Sequence, residues 1–172
     1  MAKSVKKIAI LVEDLYQVLE VWYPILRLQE EGIKVVMIGT GSKEVYNSKE
    51  GYPIKVDTSI QEAKPTDFDG VIIPGGYAPD ILRRYEQVVN FVRRLYVDGR
   101  VVAAICHGGW LLVSAGILKG RKATSFFAIK DDLIAAGAQW FDREVVVDQN
   151  LVTSRKPEDL PRFVLEIIKL IK

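Results

Sequence analysis

Short apolar runs alternate with amphipathic stretches along most of the chain. Four of these runs have the length of a strand and are almost purely aliphatic, which is typical of strands that are buried on both faces of a parallel sheet. They cover residues 8–12, 35–38, 71–73 and 101–105. The pattern therefore predicts an α/β protein.

Helical spacing of apolar side chains fills the segments between these runs. Gly32 ends the first such segment, and Asp98 with Gly99 ends the next. A late pair of short apolar runs flanks Asp148, Gln149 and Asn150, which predicts a hairpin. The predicted helices are residues 18–31, 86–97, 129–136 and 157–171, and the predicted hairpin strands are residues 144–147 and 151–153.

Strands that alternate with helices predict a mostly parallel sheet covered by helices on both faces, with ligands bound beyond the carboxyl ends of the strands. The chain has 172 residues, of which 49% are hydrophobic, enough for one compact core. We therefore expect a single domain over residues 1–172. Cys106 follows residues 101–105 directly, so it falls at such a carboxyl end.

Charge and hydropathy indicate which classes of binding partner are not expected. The 24 basic and 22 acidic residues are scattered along the chain and give a formal net charge of +2, which does not call for a nucleic acid. The start has no secretory h-region, and no apolar segment is long enough to span a bilayer. We expect a soluble, cytoplasmic protein without a membrane partner.

Composition also limits bound groups. One cysteine and one histidine cannot form a disulfide or the ligand set of a structural zinc site, so we expect no metal. Gly39, Thr40 and Gly41 follow a predicted strand, but position 44 is not glycine and no helix clearly follows. We therefore expect no dinucleotide and no other cofactor.

The turn at Cys106 has the features of a nucleophile elbow, a sharp strand-to-helix corner that presents a reactive side chain. Small residues must flank such a corner, and Ala104 and Gly108 meet that requirement. A helix that starts after Cys106 would direct its N–H groups and dipole at the sulfur and favour the thiolate, and a protonated His107 would add to this. The alternative is a buried structural cysteine.

Three further groups are candidates for the same site. Gly75 and Gly76 follow the strand at 71–73 and let the backbone approach a ligand, so their N–H groups are candidates for an oxyanion hole, although they also suit a plain turn. Glu20 lies near the end of the first strand, where a buried carboxyl would be protonated, or it is a surface carboxylate. Asp80 is a candidate to orient His107, or a helix N-cap.

With these residues assembled, the chain resembles the PfpI family of intracellular cysteine proteases in the ThiJ superfamily, distantly related to class I glutamine amidotransferases. The resemblance covers nearly the whole chain. The segments that carry it are Ile73-Pro-Gly-Gly-Tyr-Ala-Pro-Asp80, Ala104-Ile-Cys-His-Gly108, Ser114-Ala-Gly-Ile-Leu-Lys-Gly-Arg121, Lys130-Asp-Asp-Leu-Ile-Ala-Ala-Gly137 and Glu144-Val-Val-Val-Asp148.

The resemblance implies a flavodoxin-like three-layer α/β/α sandwich. It also implies that Cys106 is the nucleophile, that His107 is its base, and that Glu20 is the carboxyl beside the sulfur, with Gly75 and Gly76 as oxyanion contacts. In similar proteins an acidic residue at the position of Asp80 comes from a neighbouring subunit. The resemblance therefore implies a homodimer or a homohexamer.

Two departures from the family pattern lie near the expected pocket. Gly109 and Trp110 stand where the family often has Pro-Gln, and Phe126 stands where a tyrosine commonly follows Thr-Ser. Trp110 either fills the core or narrows the substrate cleft. Phe126 cannot supply a phenolic hydrogen bond to a substrate. We include Gly108, Trp110 and Phe126 among the candidate substrate contacts.

Three functions follow as hypotheses. The first is a cysteine-dependent hydrolase, a peptidase of the PfpI kind with a peptide substrate. The second is a detoxifying enzyme that attacks methylglyoxal or an early glycation adduct, a small carbonyl substrate, through a hemithioacetal. The third is a redox-sensing or chaperone-like stress protein whose cysteine is oxidised without turnover.

Overall fold

The computed structural model describes residues 5–172, and residues 1–4 of the expected domain lie outside the described part. A seven-stranded sheet forms the centre of the molecule, and two small two-stranded sheets lie beside it. In chain order the strands are β1 (Lys7–Val12), β2 (Lys34–Gly39), β3 (Val45–Asn47), β4 (Pro53–Lys55), β5 (Thr58–Ser59), β6 (Gly70–Ile73), β7 (Val101–Ile105), β8 (Lys122–Ala123), β9 (Gln139–Trp140), β10 (Val145–Asp148) and β11 (Leu151–Ser154).

The central sheet has the strand order β10-β11-β7-β6-β1-β2-β5. Every neighbouring pair is parallel except β10 and β11, which form an antiparallel hairpin at one edge. The aliphatic strands β6 and β7 are buried along their whole length, as expected for strands with helices on both faces.

Helices cover both faces of this sheet. α1 and α6 pack against each other on one face, and α2 to α5 form the layer on the other face. The helices are α1 (Val18–Glu30), α2 (Ala78–Leu82), α3 (Glu86–Val97), α4 (Gly109–Ala115), α5 (Lys130–Ala135) and α6 (Leu160–Ile171). The prediction of a flavodoxin-like three-layer sandwich with a mostly parallel sheet is confirmed.

The predicted elements agree with the structure where apolar periodicity is strong. The four buried strands, the late hairpin, α1 and α3 all lie within one residue of their predicted bounds. The closing helix differs, because Pro157–Asp159 forms a single 3₁₀ turn and α6 begins only at Leu160. The short helix near residue 130 is likewise preceded by a 3₁₀ turn over Phe127–Ile129.

Several short elements had no periodic signal. β3 and β4 form a hairpin in which each strand buries a single side chain, Tyr46 and Ile54 respectively. Two or three residues with one apolar position are too few to establish a period. α2 has only five residues, including Pro79, so the segment after β6 looks like a plain turn in the sequence.

Among residues 5–172, no helix combines the length and the apolar character that a membrane crossing requires.

Candidate active site

The carboxyl ends of β6 and β7 meet at the centre of the sheet. The two strands pair in parallel with Ile73 opposite Ala104, so the loop after β6 lies beside the residue that follows β7. Gly75 and Cys106 are therefore neighbours, and a Cβ atom built on Gly75 would lie 2.7 Å from Cys106 Cβ and 3.1 Å from its sulfur. Only glycine allows this approach.

Cys106 occupies a strained corner. Its φ of 59° lies in the left-handed region, which is uncommon for a non-glycine residue. A 3₁₀ turn over Cys106–Gly108 leads into α4, and a Cβ atom on Gly108 would lie only 2.5 Å from the carbonyl oxygen of Ile73. The small residue predicted at position 108 is thus required for packing against β6, and Gly108 is not among the residues that line the pocket.

The structure does not support the predicted activation of the resting thiol. Burial, with the nearby charge of Glu20, raises the pKa of Cys106 to about 12. Hydrogen bonds from the backbone N–H groups of His107 and Gly76 lower the pKa but do not offset the burial. Desolvation of the buried sulfur therefore opposes the thiolate that the helix dipole favours, and α4 itself begins three residues after Cys106. The thiolate stays a prediction.

Two loops hold Glu20 beside the sulfur. One is the loop before α1, which contains Gln17, and the other is the loop after β6, which contains Gly75. The Gln17 side chain caps α1 by accepting a hydrogen bond from the Glu20 N–H at 2.9 Å. The Gly75 N–H donates to Glu20 Oε2 at 2.6 Å. The Glu20 side chain is fully buried, and burial raises its pKa to about 7, the direction expected for a protonated carboxyl.

The hydrogen bond to Glu20 changes the role expected for the glycine pair. The Gly75 N–H, a candidate oxyanion donor, is directed at the carboxyl in this structure. The Gly76 N–H lowers the pKa of the Cys106 thiol, so it lies near the reacting atom. Gly76 has a φ of 77°, and its backbone packs against Leu15 and Tyr16 of the loop before α1.

His107 lies next to the thiol between two aromatic rings. Its Nδ1 is 3.3 Å from Cys106 Sγ. The Phe126 ring stacks on the imidazole, and the Trp110 ring meets it edge-on, each with a centroid separation of 5.1 Å. Burial, assisted by the charge of Lys49, lowers the pKa of His107, so the neutral ring is ready to accept a proton. Both departures from the family pattern thus contact the histidine.

Trp110 is fixed in place by a further contact. Its Nε1 donates to Asp132 Oδ2 at 2.8 Å, and the Arg83 guanidinium lies 5.9 Å from its ring centroid. The tryptophan is half-buried and lines the pocket, which favours the cleft-narrowing alternative over simple core filling.

These groups form the floor and one wall of a pocket of about 400 Å³. This volume lies in the range of small-molecule sites. The pocket is lined by Gln17, Glu20, Lys49, Gly76, Tyr77, Cys106, His107, Trp110, Phe126, Lys156 and Pro157.

Five of the residues that line the pocket were not among the site residues predicted from the sequence. Lys156 and Pro157 follow β11, a neighbour of β7, so the rule on carboxyl ends of strands would have found them. Gln17 and Tyr77 each precede a helix that starts at the site. Lys49 lies between β3 and β4, and no local pattern connects it with Cys106.

Asp80 does not reach the pocket of its own protomer. It lies in the first turn of α2, whose N-cap is Tyr77, so the N-cap alternative is wrong. Its carboxylate pairs with Arg84, and this hydrogen bond lowers the pKa of Asp80. The side chain is partly exposed, and its role toward a second subunit stays a prediction.

Comparison with known proteins places this geometry among relatives. The model of the DJ-1/PfpI family matches residues 6–170. The protein named deglycase PfpI from Pyrococcus furiosus is 46% identical over 166 residues, which cover 96% of this chain and 99% of that protein. The putative cysteine protease YraA from Bacillus subtilis is 40% identical over 167 residues, which cover 97% of this chain and 99% of YraA.

A solved structure shows the same arrangement of strands and helices. A two-domain protein from Anabaena variabilis, with a DJ-1/ThiJ/PfpI-like and a ferritin-like domain, superposes with a TM-score of 0.93 at 41% identity. The match covers 95% of this chain and 47% of that protein. The match therefore spans about half of the two-domain chain.

Proposed function

This chain belongs to the DJ-1/PfpI family, and on that premise we propose that it is a cysteine-dependent deglycase that acts on methylglyoxal and its early adducts. The observation that carries the proposal is the position of the Cys106 thiol, 3.3 Å from His107 Nδ1, in a pocket of about 400 Å³. A pocket of this size accommodates a modified side chain or a free 2-oxoaldehyde.

The first step is nucleophilic addition. Neutral His107 accepts the thiol proton as the sulfur attacks the aldehyde carbon of methylglyoxal. The electrons of the C=O bond move to its oxygen, which takes a proton and completes a hemithioacetal. The Gly76 N–H, which lies near the sulfur, is placed to donate to the oxygen as it gains charge.

The second step is a proton transfer between the two substrate carbons. A base removes the proton from the carbon bonded to sulfur, and an enediol forms. Protonation of the neighbouring carbon then gives a thioester of lactic acid, and water hydrolyses this ester to release lactate and the thiol. Glu20, with a pKa of about 7 beside the sulfur, is able to give and take a proton at neutral pH.

An adduct on an amine reaches the same intermediate by substitution instead of addition. The C–N bond of its hemiaminal carbon breaks as the C–S bond forms, and the thiol proton passes through His107 to the departing amine nitrogen. The same hemithioacetal forms, and the neutral amine is released. Relatives support this choice, since the Pyrococcus furiosus protein carries the name deglycase.

A peptidase is the second candidate, favoured by the name of YraA. Here the thiol would attack an amide carbonyl, and His107 would return its proton to the leaving amine. This reaction needs a strongly activated nucleophile, whereas the resting thiol has its pKa raised to about 12. An aldehyde is the more electrophilic partner and suits a neutral thiol that ionises only on attack.

The test is a direct comparison of substrates. Methylglyoxal, its adduct with N-acetyl-lysine, and a set of fluorogenic peptides are assayed with wild-type protein and with Cys106→Ser. We expect lactate from the first two, amine release from the second, and a loss of at least about a thousandfold in kcat/KM in the variant.

Circular dichroism of Cys106→Ser serves as the folding control. Cysteine-dependent cleavage of peptides without consumption of methylglyoxal would establish the second candidate instead. If the variant and the wild type behave alike on every substrate, both candidates are wrong.

A further inference from the structure

Two lysines that are far apart in the sequence line the same pocket. Lys49 lies in the loop between β3 and β4, and Lys156 follows β11, yet both line the cavity above Cys106. The mechanism above uses neither amine. Their side chains are exposed at the mouth, where an incoming substrate would meet them before it reaches the sulfur.

The amines of Lys49 and Lys156 differ in whether a nearby carboxylate offsets their positive charge. Lys49 Nζ lies 3.6 Å from Glu50 Oε1, a long ion pair with half-exposed side chains. Lys156 has no carboxylate within ion-pair distance among residues 5–172, whereas its neighbour Arg155 binds Asp142 and Asp159. Lys156 therefore keeps a full positive charge beside the pocket.

The negative charge inside the pocket does not cancel these cations. Glu20 is the one acidic residue in the lining, and its carboxyl is buried, bonded to the Gly75 N–H and half protonated near pH 7. His107 is neutral at that pH. The remaining lining residues carry no charge and include the rings of Tyr77, Trp110 and Phe126. Charge at the rim of an apolar cavity attracts anions more strongly than the same charge on an open surface.

We propose that Lys49 and Lys156 select carbonyl substrates that carry a carboxylate, so that the Cys106 site prefers acidic 2-oxoaldehydes and their adducts over uncharged ones. This inference rests on the proposed function for the chemical step. The aldehyde carbon would lie at the sulfur, and the carboxylate would lie at the mouth between the two amines. Lys156 makes the larger contribution because Lys49 shares its charge with Glu50.

A kinetic test uses two substrates with the same reactive group, one with a carboxylate and one without. The probes are 4,5-dioxopentanoate and its methyl ester, which present the same 2-oxoaldehyde group. We expect wild-type kcat/KM to be about tenfold higher for the acid. In Lys156→Met the acid should lose about fivefold more than the ester, mainly through KM, and Lys156→Arg should restore the preference.

Lys119→Met is the matched control, because Lys119 is an exposed lysine that does not line the pocket. It should behave like the wild type with both probes. An ester turned over as well as the acid, or equal losses for both probes in Lys156→Met, would overturn the selection by charge. Failure of both probes and of methylglyoxal would overturn the proposed function instead.

A second measurement tests the effect of the same two lysine charges and requires no catalytic turnover. Cys106 is the only cysteine in the chain, so alkylation reports on this site alone. The rate of alkylation by iodoacetate is divided by the rate with iodoacetamide, and this ratio is divided by the same ratio for N-acetylcysteine. The result measures how strongly the pocket favours an anionic reagent over a neutral one. We expect it to fall about fivefold in Lys156→Met, to fall less in Lys49→Met, and to stay unchanged in Lys119→Met.

Salt gives the final check on this measurement. The wild-type ratio should approach that of Lys156→Met as the ionic strength rises, since the amines are exposed and are screened. A ratio that is the same in wild type and both lysine variants would refute the proposal, even if the deglycase assay succeeds. A charge-dependent ratio without any turnover would support an anion-selective thiol site and reject only the enzymatic step.

Discussion

At the scale of single residues, burial determines the protonation state of the site. It raises the pKa of Cys106 and of Glu20, and it lowers the pKa of His107. All three shifts have the same cause, since a buried group favours its uncharged form. Near pH 7 the thiol and the imidazole are neutral, and the carboxyl is about half protonated. Charge therefore develops in this pocket as the reaction proceeds.

Glu20→Gln tests this account through stability. The carboxyl has its pKa raised from 4.5 in the unfolded chain to about 7 in the folded protein, so the folded state binds the proton more tightly. Wild-type stability should therefore fall as the pH rises from about 4.5 to about 7, by about 3 kcal/mol. Glutamine keeps the shape without the charge, so the variant should lack this loss.

Guanidinium unfolding at pH 5 and at pH 8 measures the difference. Glu44→Gln, at an exposed carboxylate, is the control and should leave the pH dependence unchanged. In Glu20→Gln, alkylation of Cys106 should also begin at a lower pH, because the charge that opposes the thiolate is gone. Identical pH profiles for wild type and Glu20→Gln would contradict the buried, proton-binding carboxyl.

At the scale of elements, two loops hold the site by hydrogen bonds between their backbones. The Tyr77 N–H donates to the Leu15 carbonyl at 2.9 Å, and the Gln17 N–H donates to the Gly75 carbonyl at 3.3 Å. This contact joins the loop before α1 to the loop after β6. It places Glu20 against Gly75, and so couples the carboxyl to the turn at Cys106.

Gly76→Ala should disrupt this junction. Position 76 has a φ of 77°, and an added Cβ atom would overlap the carbonyl of Leu15. Gly99→Ala is the matched control, because Gly99 has a φ of 72° with nothing within 4 Å of the added atom. We expect a loss of about 1 kcal/mol in the control and of at least about 3 kcal/mol in Gly76→Ala.

Denaturant unfolding of the two variants measures these losses, and the methylglyoxal assay follows the site. Gly99→Ala should retain wild-type activity, since Gly99 follows α3 and does not line the pocket. Equal destabilisation of both variants would show that the positive φ alone matters and that the loop contact contributes little.

At the scale of the whole molecule, the pocket lies at the carboxyl ends of the central strands, and Tyr77 at the start of α2 lines it. Asp80 is partly exposed and pairs with Arg84 on its own helix. We propose that Asp80 acts on the site of a second subunit, as the family resemblance implies for a homodimer or a homohexamer.

Asp80→Ala should lower activity by about tenfold without unfolding the protomer, because its side chain lies outside the core. Asp98→Ala is a close control, since Asp98 pairs with Arg94 at the same spacing and both aspartates expose 29% of the side chain. Mixing Asp80→Ala with Cys106→Ser subunits should restore activity, because each mixed pair contains one complete site. Absence of recovery in mixed oligomers would argue against a shared site.

The amino-acid sequence by itself determined the features that depend on neighbours along the chain. Continuous aliphatic runs establish buried parallel strands, because no other element buries four or five successive side chains so easily. Small residues around Cys106 indicate the corner, and at Gly108 the reason is steric, because an added Cβ atom would lie 2.5 Å from the carbonyl oxygen of Ile73. The sheet, the corner at Cys106 and the histidine beside it follow from such local rules.

Only the tertiary structure decided the chemical state of the site. Glu20 and Gly75 are 55 residues apart, and their hydrogen bond depends on how two loops pack. Lys49 lines the same pocket as Cys106 although it lies in the loop between β3 and β4, and no local pattern in the sequence connects the two residues. The pKa of the Cys106 thiol depends on the tertiary structure for the same reason. The helix dipole can be predicted from the sequence, but desolvation arises only when other parts of the fold bury the sulfur.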